Sequence, residues 1–257
     1  QEAVQIPPVR IVRQGQLDGD VLAILRANTR LPDSLWGDLN GQLAALELGV
    51  KRLDGLLNEY GDGVVLQAMG AVERHRFVDS ALVNQAYEDT SLPIGLGQTI
   101  SKPGVVARML ELLRNGASGP LGRVLEIGTG CGYQAAVLSH LASEVYSIER
   151  LRGLHDKARE NLRHLRLSRL HLLLGDGMLG YPAGAPYAGI VAAAGGEAIP
   201  QAWIDQLAVG GRLVAPVSHA SGAVGGQALM VLDKTAQGVR QTVLEAVHFV
   251  PLKSGVA

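Results

Sequence analysis

The residues best suited to chemistry fall in Val124-Leu125-Glu126-Ile127-Gly128-Thr129-Gly130-Cys131-Gly132-Tyr133, where an apolar run meets three glycines at alternate positions and then a helical pattern. Glycine lets backbone approach a ligand closely, and a helix starting there offers free N–H groups, so the segment reads as a ligand-cradling turn. Glu149 ends the next apolar run, about twenty residues on, where a carboxylate accepts hydrogen bonds from a ribose diol. Gly175-Asp176-Gly177 ends a third run. Acids at the tips of three successive strands outline a nucleoside-sized pocket on the carboxyl edge of a sheet. The loop is GxGxG rather than the GxGxxG of dinucleotide sites. Glu126, two residues ahead of it, repels a pyrophosphate and attracts an ammonium group, directly or through water. A nucleoside carrying positive charge fits these residues better than NAD, and the expected cofactor is S-adenosylmethionine.

The surrounding pattern supplies the scaffold. Strands are expected at Arg123–Ile127, Glu144–Glu149, Leu170–Leu174, Ile190–Ala193, Gly211–Val217 and Ala228–Leu232. Helices are expected at Val105–Leu113 (ended by Asn115-Gly116), Tyr133–Leu141, Leu151–Leu165 and near Pro200–Leu207. Such alternation implies an α/β fold, a doubly wound, largely parallel sheet covered on both faces. Thr242–Pro251 adds a terminal, antiparallel edge strand. Residues 16–60 instead repeat apolar residues at helical spacing (Val21, Leu22, Leu25, then Leu43, Leu46, Val50, Leu53, Leu56, Leu57), and glycines at 61 and 63 follow. Residues 1–63 are therefore read as a helical appendage and 64–257 as the α/β domain.

Composition excludes several classes. The 257 residues carry 23 Lys and Arg against 24 Asp and Glu, a net charge of −1, so neither nucleic acid nor an anionic membrane is an expected partner. One cysteine, Cys131, permits no internal disulfide, and seven scattered histidines in no HExxH or HxH arrangement argue against a metal site. The uncharged stretches 177–196 and 213–232 are broken by prolines and glycines and read as buried sheet with loops, not membrane helices. Residues 1–12 lack the basic start and apolar stretch of a signal peptide. A cytoplasmic monomer is expected.

The motif VLEIGTGCGYQAAVL resembles the first motif of class I, Rossmann-like methyltransferases, and specifically that of bacterial protein-L-isoaspartate O-methyltransferases. The resemblance runs over residues 72–257 through RHRFVDSAL (74–82), AYEDTSLPIGLGQTIS (86–101), VYSIER (145–150), GDG (175–177), GGRLVAPV (210–217), GGQALMVL (225–232) and HFVPLKSG (248–255). It implies methyl transfer to the α-carboxylate of L-isoaspartyl residues in damaged proteins and peptides. Ser101 would then face both the methyl donor and that carboxylate. Thr99 and Ile100 would close over the cofactor with it, and Gly128, Thr129, Gly130 and Gly132 would cradle the methionine part. Glu149 would hold the ribose, Asp176 and Gly177 would face the adenine, and Gln227 would lie near the cofactor. The plainer role for Ser101 is a cap on the following helix. Four positions depart from the family pattern: Lys102 for an amide, Gly104 for an aromatic or histidine, and Ala188 and Ala193 for the acid and threonine flanking the fourth strand. A catalytically impaired cofactor-binding module, or a methyltransferase for another carboxylate, is the alternative they leave. Residues 4–60 resemble a fragment of the hydantoinase B / N-methylhydantoinase subunit family, with no hydantoinase activity implied.

Overall fold

The computed structural model describes residues 62–219 and 226–257. The expected helices of residues 16–60 lie outside the described residues. The elements in chain order are α1 (Gly63–Gly70), β1 (Leu92–Gly95), β2 (Gln98–Ile100), α2 (Pro103–Arg114), β3 (Leu121–Ile127), α3 (Tyr133–Leu141), β4 (Ala142–Glu149), α4 (Arg152–Leu162), β5 (Leu170–Leu174), β6 (Tyr187–Ala192), α5 (Gln201–Gln206), β7 (Leu207–His219), β8 (Gly226–Thr235) and β9 (Gly238–Val247).

Seven strands form one sheet in the order β5-β4-β3-β6-β7-β8-β9, and β1 pairs with β2 as a separate hairpin. The strands from β5 to β7 are parallel, as expected for runs separated by helices. The remainder corrects the sequence reading. β8, which contains Ala228–Leu232, runs against both neighbours, and the terminal strand is Gly238–Val247, so residues 248–251 leave the sheet. Connection length explains this: only Ala236 and Gln237 separate β8 from β9, and six residues separate β7 from β8. A parallel crossover needs roughly a dozen residues or more.

Alternation along β3 divides the core. Val124 packs with Val106, Leu110 and Leu138 on one face. Leu125 and Ile127 pack with Tyr187 and Trp203 on the other. Helix α2 begins at Pro103, which has no N–H to waste at the first turn. It ends where Asn115 turns left-handed (φ 47°) and Asn115 N donates to Glu111 O. Because β3 leads the sheet and the chain winds first toward β5 and later toward β7, the strand order reverses at β3. The crevice beyond its carboxyl end is where open α/β sheets bind ligands.

Candidate active site

That crevice is a cavity of about 490 Å³, walled by the ends of β3, β4 and β6, roofed by the β1–β2 hairpin and closed by residues 250–253. Eight expected residues meet on its surface: Thr99, Ile100, Ser101, Gly128, Thr129, Gly130, Glu149 and Gly177. The glycine loop works differently from a phosphate cradle. Gly128 N (2.9 Å) and Thr129 N (3.2 Å) both donate to Ile148 O, Gly130 N donates to Glu149 Oε2 (2.8 Å), and Gly132 N donates to Thr129 O (2.9 Å). The expected free N–H groups are thus largely spent on holding the loop, which leaves little to bind a pyrophosphate. Glu149 is 5% exposed, and its second oxygen accepts from Leu151 N at 2.9 Å. Each carboxylate oxygen has a second lone pair, so Glu149 both fixes the loop and retains acceptors toward the cavity.

Four expected site residues lie off the cavity. Gly132 supports it from behind: its φ is 93°, and a Cβ there would come within 2.8 Å of Leu162 Cδ1, so the loop packs on α4 only because the residue is glycine. Asp176 does not line the cavity; its oxygens accept from Met178 N (2.9 Å) and from the sequence-distant Gly255 N (2.6 Å), while its neighbour Gly177 lines the wall. Gln227 lies outside the cavity lining and accepts from Phe249 N at 2.7 Å, fastening the segment after β9.

Glu126 is the fourth, and its correction is electrostatic. The side chain is fully buried behind the loop, where Ser147 donates to it (2.5 Å) and Ser147 Oγ also bonds Thr129 Oγ1 (2.6 Å). Burial pushes its carboxyl up to about 8, partly opposed by Ser147 and Gln134. A neutral acid there has no pull on an ammonium group. An unfolded chain ionises Glu126 at ordinary carboxylate pH, whereas the folded chain does so only near the raised value. Stability is therefore expected to fall by a few kcal/mol between about pH 4.5 and about pH 8 and then level off. In Glu126→Gln this slope should be missing from denaturant midpoints measured across that range. Parallel pH profiles for the two proteins would show that the folded carboxyl stays ionised.

A second cavity, also about 490 Å³, opens on the other side of Thr99, Ser101, Ala193 and Val250, which line both. Lys102, Gly104, Arg108, Glu245 and His248 are on its walls. The Ser101 hydroxyl makes no hydrogen bond among the described residues, and the start of α2 is held instead by Asp89, which accepts from Gly104 N at 2.6 Å. The helix-cap role for Ser101 is thereby excluded. Lys102 is half exposed at the rim, 3.9 Å from Asp89, and Arg108 is tied to Glu111 and Glu245. Gly104 and Ala193 are both small, so neither substitution obstructs the second cavity. Ala188 packs toward Gly122, where a Cβ would lie 3.0 Å from it.

Sequence reasoning missed two contributors. Val250, Pro251, Leu252 and Lys253 line the first cavity because Gly195 N donates to Val250 O (2.9 Å) and Leu252 N donates to Gly195 O (2.8 Å). An extended segment pinned across more than fifty residues, quoted above only within the motif HFVPLKSG, has no spacing that points to the site. Arg74, quoted only within a motif, is fully buried beside Ser101. Trp203 is core, 1% exposed and donating to Gly177 O at 2.8 Å. Cys131 lines the cavity, but burial raises its thiol pKa, consistent with packing rather than nucleophilic chemistry. Among the described residues no group of His, Cys, Asp and Glu could hold a metal ion, and no helix is long and apolar enough to cross a membrane.

A nucleoside-sized cavity at the switch point of a mostly parallel sheet, sharing Thr99, Ser101, Ala193 and Val250 with a second cavity, defines a class I methyltransferase architecture. Comparisons agree. The family model described as protein-L-isoaspartate(D-aspartate) O-methyltransferase (PCMT) matches residues 53–257, and that of hydantoinase B/oxoprolinase matches residues 1–85. A protein from Methylibium petroleiphilum named protein-L-isoaspartate O-methyltransferase is 64% identical over 76% of this chain and 72% of its own length. One of the same name from Leptothrix cholodnii is 62% identical over 80% and 71%. A solved protein-L-isoaspartate O-methyltransferase superposes with a TM-score of 0.71 at 27% identity, covering 80% of this chain and 66% of that one. A Plasmodium falciparum structure titled as that enzyme in complex with S-adenosyl-L-homocysteine (TM-score 0.67, 23% identity, 77% and 97% coverage) shares the fold. The chain belongs to the protein-L-isoaspartate(D-aspartate) O-methyltransferase family.

Proposed function

We infer that the chain repairs damaged proteins by moving a methyl group from S-adenosylmethionine to the α-carboxylate of L-isoaspartyl residues. The observation that carries this is that two cavities share Thr99, Ser101, Ala193 and Val250, one walled by the glycine loop and Glu149, the other by Lys102, Arg108, Glu245 and His248. A cavity of about 490 Å³ is in the range of small-ligand sites, and the acceptors that Glu149 retains beside the glycine loop suit a nucleoside. When bound, the cofactor supplies an electrophilic methyl group on a sulfonium.

The residues divide the remaining work. Thr99, Ile100 and Ser101 cover the first cavity from the hairpin side, Gly128, Thr129 and Gly130 form its floor, and Glu149 takes the ribose hydroxyls. Gly177 bounds the base end, backed by Asp176. Ser101 donates its free hydroxyl to the acceptor carboxylate. That carboxylate is ionised at neutral pH, so no general base is required and none is found at the junction. Catalysis then rests on alignment and on keeping water away from the reacting atoms beside Ser101. Lys102 at the rim favours an anionic peptide. We read the chain as a cytoplasmic monomer with residues 1–63 as a helical appendage and no nucleic-acid or membrane partner; the balanced charge of −1 supports the last of these.

Labelled S-adenosylmethionine incubated with an isoaspartyl peptide and its normal aspartyl twin tests the reaction. Base-labile label is expected in the first peptide only. Label in neither peptide, with the cofactor bound, would reduce the chain to a binding module, and label on small acids alone would reassign the acceptor.

A further inference from the structure

We propose that Arg74 is a positioning residue for methyl transfer, fixing Ser101 where the two cavities share their lining. Its side chain is 0% exposed. Nε donates to Ala86 O at 2.7 Å, Nη2 donates to Ser101 O at 2.8 Å, and the guanidinium carbon lies 4.9 Å from the centroid of the Tyr133 ring. Tyr133 opens α3, directly after the glycine loop, and lines the first cavity. One planar group therefore ties the residue meeting the acceptor to the element meeting the cofactor.

Stability alone gives a poor reason for this arrangement. Among the described residues no carboxylate pairs with Arg74, and its Nη1 lacks any partner. Burial of such an unpaired cation is costly, and an apolar side chain of similar size would fill the space with no desolvation penalty. What an apolar residue would lose is the fork: two N–H donors in a fixed plane, with a flat face on an aromatic ring, hold two separate carbonyls in register. The Ser101 carbonyl is held by Arg74, and the Ser101 hydroxyl, unpartnered among the described residues, stands where the two cavities share their lining.

The inference rests on the role assigned to Ser101 and is tested with it in a double-mutant cycle. Arg74→Lys keeps the charge and loses the fork. It is expected to lower kcat about tenfold while cofactor Kd changes less than about threefold, and in the Ser101→Ala background to change kcat less than about twofold. Arg74→Gln, which loses the charge as well, should be the weaker of the two and runs the same cycle if Arg74→Lys does not fold. Multiplicative losses, or a fall in cofactor affinity matching the fall in kcat, would make Arg74 a general scaffold residue and overturn the inference while leaving Ser101 in place. Unchanged kcat in Ser101→Ala alone overturns both assignments.

Discussion

Ser101→Ala is expected to lower turnover on an isoaspartyl peptide by roughly 10- to 100-fold, the effect of losing a hydrogen bond of about 1.5–3 kcal/mol to a charged acceptor. Cofactor affinity should hardly move. The side chain lines both cavities, its hydroxyl is uncommitted among the described residues, and its backbone is held by the carbonyl bond to Arg74 whichever side chain is present. Helix α2 should also survive, since Asp89 rather than Ser101 secures its first turn. Steady-state kinetics alongside calorimetry with S-adenosylhomocysteine separate the two quantities. Turnover within twofold of the parent protein would remove Ser101 from the reaction.

Glu149 should control the other half of the site. Both of its oxygens accept backbone N–H bonds, from Gly130 at 2.8 Å and Leu151 at 2.9 Å, and the side chain is nearly buried. Glu149→Gln replaces one acceptor oxygen with an NH2 group facing one of those donors, and Glu149→Ala removes both acceptors. Loss of one charge-assisted bond costs about 1.5–3 kcal/mol, so cofactor Kd should weaken at least 10-fold in the glutamine variant and further in the alanine variant. Part of that loss is a loosened Gly128–Gly130 loop and part is the missing ribose acceptor. An unaltered dissociation constant in either variant would take Glu149 out of the cofactor site.

How far the sequence exposes this architecture depends on whether the causes are local. Helix α3 is read at its observed bounds because three glycines stop β3 and the apolar pattern resumes at Tyr133. β5 is equally clear, a run of five residues between loop signals. Hairpin geometry is less visible: the Ala228–Leu232 run of β8 is as apolar as the parallel strands, and the short connections before and after β8 reveal its direction. The same distinction holds in the site. Residues on the GxGxG loop and the tip of β4 line the cavity, because strand ends put them there. Asp176 and Gln227 are acceptors of the right type at plausible positions, yet each is captured by a backbone N–H far along the chain, at Gly255 and Phe249. Glu126 sits on the strand itself, where alternation turns it into the protein rather than toward the ligand. No periodicity encodes these distant partners, nor the buried fork of Arg74.

The most direct test is a crystal structure with S-adenosylhomocysteine and an isoaspartyl peptide bound together. The adenosine should occupy the cavity beside the glycine loop, with ribose hydroxyls on Glu149 and the sulfur directed toward Ser101. The peptide carboxylate should enter from the Lys102 side and meet the Ser101 hydroxyl. A nucleoside seated elsewhere, for example against the outer face of α4, or a carboxylate bound away from Ser101, would contradict the assignment of both cavities.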